Sequence, residues 1–341
     1  MKQWVLERAN GFDNLCFKDA PVPNVGENEV LVEFFAASLN YRDLIISKGQ
    51  YPLPVQLPVV PASDGAGEIM KVGSKVTKFR KGDQVVTVFN QAHQHGAIDI
   101  AAIKSGLGGS LDGTLREYGV FSTTGLVKAA KNLNPIENST LSCAALTSWN
   151  ALFGLKPLKP GQVVLVQGTG GVSTFGLQFA RAAGAVVIAT TSSASKVEKL
   201  KELGADHVIN YNEDPNWGDT ARKFTPDGAG VDHIIEIGGP NTLGQSLKAI
   251  KYEGVINVVG FVGGGGNERQ PGILESLSHI CVVRGVQVGS RGMMEDMIRA
   301  IEANDIHPVV DEKVFNLDQA RDAFEYLWAQ RHVGKVVINI R

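Results

Sequence analysis

The stretch Val163-Val164-Leu165-Val166-Gln167 runs directly into Gly168-Thr169-Gly170-Gly171-Val172-Ser173, and a helix pattern carrying Phe175, Leu177, Phe179 and Ala180 starts immediately after. This strand–turn–helix junction restricts the fold more than any other part of the chain. A glycine-rich turn between a buried strand and a helix is how a dinucleotide-binding βαβ unit opens. Gly168 allows the tight turn, and Gly170 lets the backbone approach a pyrophosphate. Ser173 stands where a third glycine is usual and is small enough for close helix–strand packing. Thr169, Gly171 and Val172 complete the cradle. The helix start offers free N–H groups and the positive end of its dipole to phosphates.

Around this junction, strands alternate with helices. Apolar runs predict strands at Val163–Gln167, Val186–Thr191, 208–211, 231–237, 255–260 and 281–288. Helices are expected at 173–183, 195–203 and 245–250. That order is the signature of an α/β doubly wound parallel sheet, and continuous apolar runs fit strands buried on both faces. The chain before about residue 130 reads differently. It is β-rich, with an alternating run at 30–35 and a turn feeding a strand at 81–88. Four prolines make 51–62 irregular, 90–112 reads as a loop, and 263–266 as a flexible glycine loop after a strand. Beyond 290 come a helix at 293–303, a strand at 308–315, a helix at 317–330 and a final strand. No second glycine-rich turn is present there, so the tail is expected to return to the first domain. A length of 341 residues fits two domains.

The end of the second strand bears on the cofactor. NAD sites usually place Asp or Glu there to accept from the ribose 2′-hydroxyl. This strand ends Ala189-Thr190-Thr191-Ser192-Ser193-Ala194-Ser195-Lys196, with no carboxylate before Glu198. Thr191, Ser192 and Lys196 suit a 2′-phosphate, and Tyr211 can flank the phosphate or the adenine, so NADP(H) is expected.

Net charge is −2 with no long basic run, which disfavours nucleic acid. Cys16, Cys143 and Cys281 lie far apart in sequence, so reduced thiols in a cytoplasmic protein are expected. Charges interrupt the N-terminal segment too early for a secretory leader, and no run of about 18 apolar residues predicts a membrane span.

Several stretches together resemble the medium-chain dehydrogenase/reductase superfamily, within it the zinc-free quinone-oxidoreductase branch. They are Ser38-Leu39-Asn40-Tyr41-Arg42-Asp43-Leu44, Pro61-Ala62-Ser63-Asp64-Gly65-Ala66-Gly67-Glu68, Lys81-Gly82-Asp83-Gln84-Val85, Gly113-Thr114-Leu115-Arg116-Glu117-Tyr118, Ala144-Ala145-Leu146-Thr147-Ser148 and His332-Val333-Gly334-Lys335-Val336-Val337. The resemblance implies a GroES-like β-rich catalytic domain at 1–132, completed by 290–341, and a Rossmann domain at 133–289. It also implies a homodimer formed through the edge of the Rossmann sheet. Zinc members carry Cys near the position of Asn40 and a His-Glu pair at Ser63-Asp64. Neither the Cys nor the His is here, and 90–112 has none of the cysteines of the structural zinc lobe. His93 and His95 read as surface histidines, and no metal is expected.

Without a Lewis acid, hydride transfer must lean on an acceptor that is already electrophilic. The resemblance places Asn40 and Tyr41 beside the nicotinamide, facing the substrate: Asn40 as an amide donor to oxygen gaining charge, Tyr41 as donor or proton source. Arg42 and Asp43 read as a structural ion pair. The resemblance further brings Thr147, Gly260 and Lys335 to the cofactor. The expected function is NADPH-dependent reduction of a quinone or α,β-unsaturated carbonyl. The alternatives are an NADP-dependent alcohol or aldehyde dehydrogenase, and a non-catalytic NADPH-binding protein.

Overall fold

The computed structural model describes residues 1–262 and 271–341; the glycine loop expected at 263–266 lies outside the described residues. The chain forms two compact units, Met1–Leu146 with Val288–Arg341, and Thr147–Gln287. The expected boundary at 132/133 falls ahead of the short helix Pro135–Asn138, which belongs to the first unit.

The second unit is a six-stranded parallel sheet. Its order is His207–Asn210, Val186–Thr191, Val163–Gln167, Val231–Glu236, Ile250–Val258 and Val282–Gly285. Numbered from its first strand this is 3-2-1-4-5-6, the dinucleotide-binding order, whose direction reverses between Val163–Gln167 and Val231–Glu236. All five residues of Val163–Gln167 are buried, as a central strand covered on both faces requires. The fifth strand begins at Ile250, earlier than the expected 255, with a register shift against Val231–Glu236.

The first unit is built on an antiparallel sheet. Glu29–Ser38 pairs with Asp64–Val72 along one edge, and with Tyr118–Ser122 and then Val337–Asn339 along the other. Alternation along Glu29–Ser38 sends Val30, Val32 and Phe34 into a core with Ile69, Val85 and Phe121. The tail does return here. Phe315, Phe324, Val336 and Ile338 share a second core with Trp4, Leu6, Leu39 and Leu44, and Trp4 Nε1 donates to the Leu317 carbonyl at 2.6 Å. The strand expected at 308–315 shrinks to Phe315–Asn316 and one bridge, Val310 to Lys335. Asp311 draws the chain into a turn there, accepting from the N–H groups of Lys313 and Val333. The 90–112 segment contains a short helix, Ile100–Ile103. His93 is buried, contrary to expectation, with Nε2 3.1 Å from the Gly96 carbonyl, whereas His95 is exposed.

Candidate active site

The glycine-rich turn expected to cradle the cofactor lies within the second unit. Gly168 leaves the strand with φ +76°, a left-handed conformation that favours glycine. Its N–H donates to the Thr190 carbonyl at 2.8 Å, closing the turn against the neighbouring strand. Gly170 caps the helix Gly171–Ala182, and a Cβ added at 170 would meet no protein atom within 4 Å. The fold therefore does not itself demand glycine at 170, and the open space suits a phosphate approaching the helix start. Ser173 is buried, its hydroxyl donating to the Gln167 carbonyl. The tight helix–strand approach is made one turn on, at Gly176, where a Cβ would stand 2.5 Å from Ile235 Cδ1. Sequence reasoning missed Gly176; its spacing one helical turn beyond the cradle was the available signal. Thr147 is buried on the helix Leu146–Phe153, which Ser148 Oγ ties to the Val172 carbonyl at 2.7 Å.

At the sheet's switch point, a buried network also missed by sequence reasoning sets the loop after Val231–Glu236. Glu236 accepts from Gln167 Nε2 at 2.8 Å, from the Gly239 N–H at 2.9 Å and from the Ser246 and Thr242 hydroxyls. Gln167 Oε1 in turn accepts from the N–H groups of Ile237 and Gly238, at 2.9 and 3.2 Å. Gly260 lies against this loop, where its Cβ would meet the Ile237 carbonyl oxygen at 3.2 Å. Thr191, Ser192 and Lys196 follow the second strand. Thr191 Oγ1 accepts from the Ser193 N–H at 3.2 Å, and the Ser192 carbonyl accepts from Asn212 Nδ2 at 2.9 Å. Tyr211 is exposed, its N–H bonded to the Thr191 carbonyl.

The first unit carries a separate polar cluster, and strand register explains it. Val337 pairs with Ser38, so continuing the antiparallel ladder sets Lys335 opposite Asn40; Ser38 pairs on its other side with Asp64. The buried Lys335 ammonium donates to Asn40 Oδ1 at 2.5 Å, to the Leu39 carbonyl at 2.8 Å and to Asp64 Oδ2 at 3.3 Å. Asp64, fully buried, also accepts from Ser63 Oγ at 2.7 Å and Ser38 Oγ at 3.3 Å. Asn40 is 9% exposed, and its Nδ2 is buried with no hydrogen-bond partner among the described residues. Lys335, expected at the cofactor, thus has its ammonium engaged inside this unit.

Asn40 begins the helix Tyr41–Ser47, with its own N–H held by Asp43 Oδ2 at 2.8 Å. Burial pushes Asp43 up to about 6, against the pull of Arg42. Arg42 Nη1 pairs with Asp43 at 3.2 Å and donates to the Leu107 carbonyl at 2.9 Å, so it also pins the 90–112 segment. Tyr41 stacks its ring on Trp328, centroids 6.2 Å apart, and burial raises its phenol above the ordinary range. The structure thus brings Lys335 and Asp64 to Asn40, and Trp328 to Tyr41.

This donor set does not fit zinc. An amide, a hydroxyl and a carboxylate already paired with an ammonium stand at Asn40, Ser63 and Asp64. Cys143 lies in the π-helical turn Leu141–Ala145, where burial and then the charge of Asp64 push its thiol up to about 12. No group of three or more His, Cys, Asp or Glu side chains among the described residues could hold a metal ion.

Residues 26–131 match the alcohol dehydrogenase GroES-like domain, and residues 171–303 the zinc-binding dehydrogenase family. A zinc-type alcohol dehydrogenase-like protein of Schizosaccharomyces pombe is 51% identical, covering 98% of this chain and 98% of its own. The tomato (Solanum lycopersicum) 2-methylene-furan-3-one reductase is 31% identical over 99% of this chain and 79% of its own. Among solved structures, a Sinorhizobium meliloti 1021 protein described as an alcohol dehydrogenase has a TM-score of 0.91 at 39% identity, covering 99% of this chain and 98% of that one. The chain belongs to the medium-chain dehydrogenase/reductase superfamily, oxidoreductases that bind a nicotinamide cofactor.

Proposed function

We propose that this protein is an NADPH-dependent reductase of an activated acceptor, a quinone or an α,β-unsaturated carbonyl, working without zinc. The observation that carries the reading is the buried, unpartnered Nδ2 donor of Asn40, in a cluster whose side chains do not suit a metal. A buried amide N–H with nothing to bond costs about 1–3 kcal/mol, a cost recovered when an oxygen gaining charge meets it. The nicotinamide, when bound, supplies the hydride. Gly168 to Ser173 cradle the pyrophosphate, with Thr147 and Gly260 as further cofactor contacts. Thr191, Ser192 and Lys196 receive the 2′-phosphate and Tyr211 flanks it; no carboxylate stands among residues 189–196 to repel it. Tyr41 or water returns the proton. The tomato relative's named substrate, an enone, supports this acceptor class.

A second reading is an NADP-dependent alcohol or aldehyde dehydrogenase; relatives named alcohol dehydrogenase favour the alcohol chemistry in it. Consumption of NADPH with a panel of quinones, enones and aldehydes separates the two; no consumption with any of these acceptors would favour a non-catalytic NADPH-binding protein. The combined Asn40→Ala and Tyr41→Phe variant should lose on the order of a hundredfold in turnover. Wild-type turnover in it with every working acceptor would remove both residues from the site.

We further propose a homodimer paired through the strand Val282–Gly285, the sheet's edge. Val282 and Val283 are exposed there, and Ile273 and Leu277 nearby are 89% and 73% exposed; apolar surface beside an open strand edge marks an interface. Light scattering should give twice the chain mass, and a chain-sized mass at micromolar concentration would refute it. The three cysteines are free, which supports a cytoplasmic setting, testable by fractionation. No helix among the described residues is long and apolar enough to cross a membrane.

A further inference from the structure

Lys335 has three N–H donors and three acceptors in reach: the Leu39 carbonyl, Asn40 Oδ1 and Asp64 Oδ2. Every donor is spent inside the unit, leaving none for a ligand. An ammonium can only donate, so it can face only the oxygen of the Asn40 amide. That fixes the amide's orientation: Oδ1 toward Lys335, and Nδ2 away from it, buried with both N–H bonds unused. The cation is itself held in place. Asp64 balances its charge and is anchored by Ser63 and Ser38, and Ser38 reaches on to the Ser139 carbonyl at 3.0 Å.

We infer that Lys335 is the positioning residue of this site, a built-in cation that orients the Asn40 amide so that its N–H donor is presented to a carbonyl oxygen of the acceptor. Its ammonium bonds both Asn40 and Asp64, which the resemblance sets at the Cys position and at the Glu of the His-Glu pair of zinc-bearing members, and it acts through Asn40 rather than on the ligand. The role also withdraws Lys335 from the cofactor. The inference rests on the function proposed above for its consequence in turnover, and on geometry alone for the amide's orientation.

Two measurements test it. In 15N-labelled protein without acceptor, the Asn40 side-chain amide resonances, assigned by their loss in Asn40→Ala, should shift and broaden in Lys335→Met. Because that variant strands the buried Asp64 carboxylate, Lys335→Met/Asp64→Asn, which removes both charges, is measured beside it. Unchanged Asn40 resonances in a folded variant would overturn the clamp whatever the enzyme reduces. In turnover, loss of Lys335 should lower kcat about tenfold to a hundredfold, with the NADPH dissociation constant within about twofold. The same change in an Asn40→Ala background should cost nothing further. Multiplying losses, or a tenfold weaker grip on NADPH, would mean that Lys335 acts on its own or on the cofactor. If Asn40→Ala turns over like wild type, the donor function falls, and the resonances still decide the orientation.

Discussion

Gly170 and Gly176 sit six residues apart on the same turn and helix, yet a Cβ would meet open space at one and packed side chains at the other, and one pair of variants tests the proposed reason for each. At 170 the backbone has φ −77° and ψ 174°, open to any residue, and a Cβ meets nothing within 4 Å. Gly170→Ala gains about 0.4–1 kcal/mol by restricting the unfolded chain and loses a similar amount through the poorer helix cap. Stability should therefore change by less than about 0.5 kcal/mol, roughly 1–2 °C in a domain of this size. The added methyl does fill the space a pyrophosphate would use. Losing one or two charge-assisted hydrogen bonds costs about 1.5–3 kcal/mol, tenfold to a hundredfold in cofactor affinity. At 176 the added Cβ would stand 2.5 Å from Ile235 Cδ1 and 3.4 Å from Val166 Cγ1. Overpacking there costs about 1–3 kcal/mol and replacing a mid-helix glycine by alanine returns about 0.5–1 kcal/mol, so Gly176→Ala should cost about 1 kcal/mol net. Thermal unfolding and calorimetric titration with NADPH read the two quantities. If Gly170→Ala binds NADPH like wild type, the turn is not the phosphate cradle; if it melts as low as Gly176→Ala, the glycine serves the fold.

Further expectations concern the ligands and pH. NADPH should bind much more tightly than NADH, and Lys196→Ala should weaken only NADPH; equal NADH binding by titration refutes the 2′-phosphate assignment. The purified protein should keep its activity in chelator, and elemental analysis finding about one tightly held zinc per chain would overturn the reading of Asn40, Ser63 and Asp64. His233 is fully buried on the strand Val231–Glu236 with neither ring nitrogen hydrogen-bonded among the described residues, and burial lowers it to about 4. The unfolded chain therefore takes up that proton first as pH falls below about 6.5, and stability drains away down to about 4. His233→Leu should stabilise by about 2 kcal/mol more at pH 5 than at pH 7.5, and denaturant unfolding showing the same gain at both would place the ring in contact with water or a partner.

The second unit was readable because its signals are local. Val163–Gln167 and Val186–Thr191 are continuous apolar runs closed by a glycine turn or a run of hydroxyl residues, and the structure bounds them at those residues. The extended stretch at 308–315 was over-read as a strand: its residues suit β structure, but apart from Phe315–Asn316 and one bridge it has no partner strand. The helix Tyr41–Ser47 was unread because two isoleucines mask it, though Asn40 and Asp43 spell its cap. The link from Lys335 to Asn40 spans 295 residues. It follows from strand register, which no local pattern announces. Glu236 was equally hidden, since a buried carboxylate and its donors Gln167 and Ser246 meet only once the parallel sheet has formed.

The polar cluster around Asn40 is also asymmetric in a way that bears on the direction of chemistry. Oxidising an alcohol requires something to take its proton, either a base or a metal that acidifies the hydroxyl. The groups at hand cannot do so. Lys335 donates three bonds and accepts none, and the Cys143 thiol holds its proton up to about 12. Asp43 is occupied by the Asn40 N–H and Arg42, and Asp64 by two serines and Lys335. What the cluster does offer is a donor, Asn40 Nδ2. A donor without a base favours the step in which an oxygen gains charge, the reduction of a carbonyl-conjugated acceptor, and gives little help to the reverse step on a simple alcohol. An amide N–H does not give up its proton, so the proposed reduction would draw its proton from Tyr41 or water. Burial raises the Tyr41 phenol, which makes it a weaker acid than a free phenol.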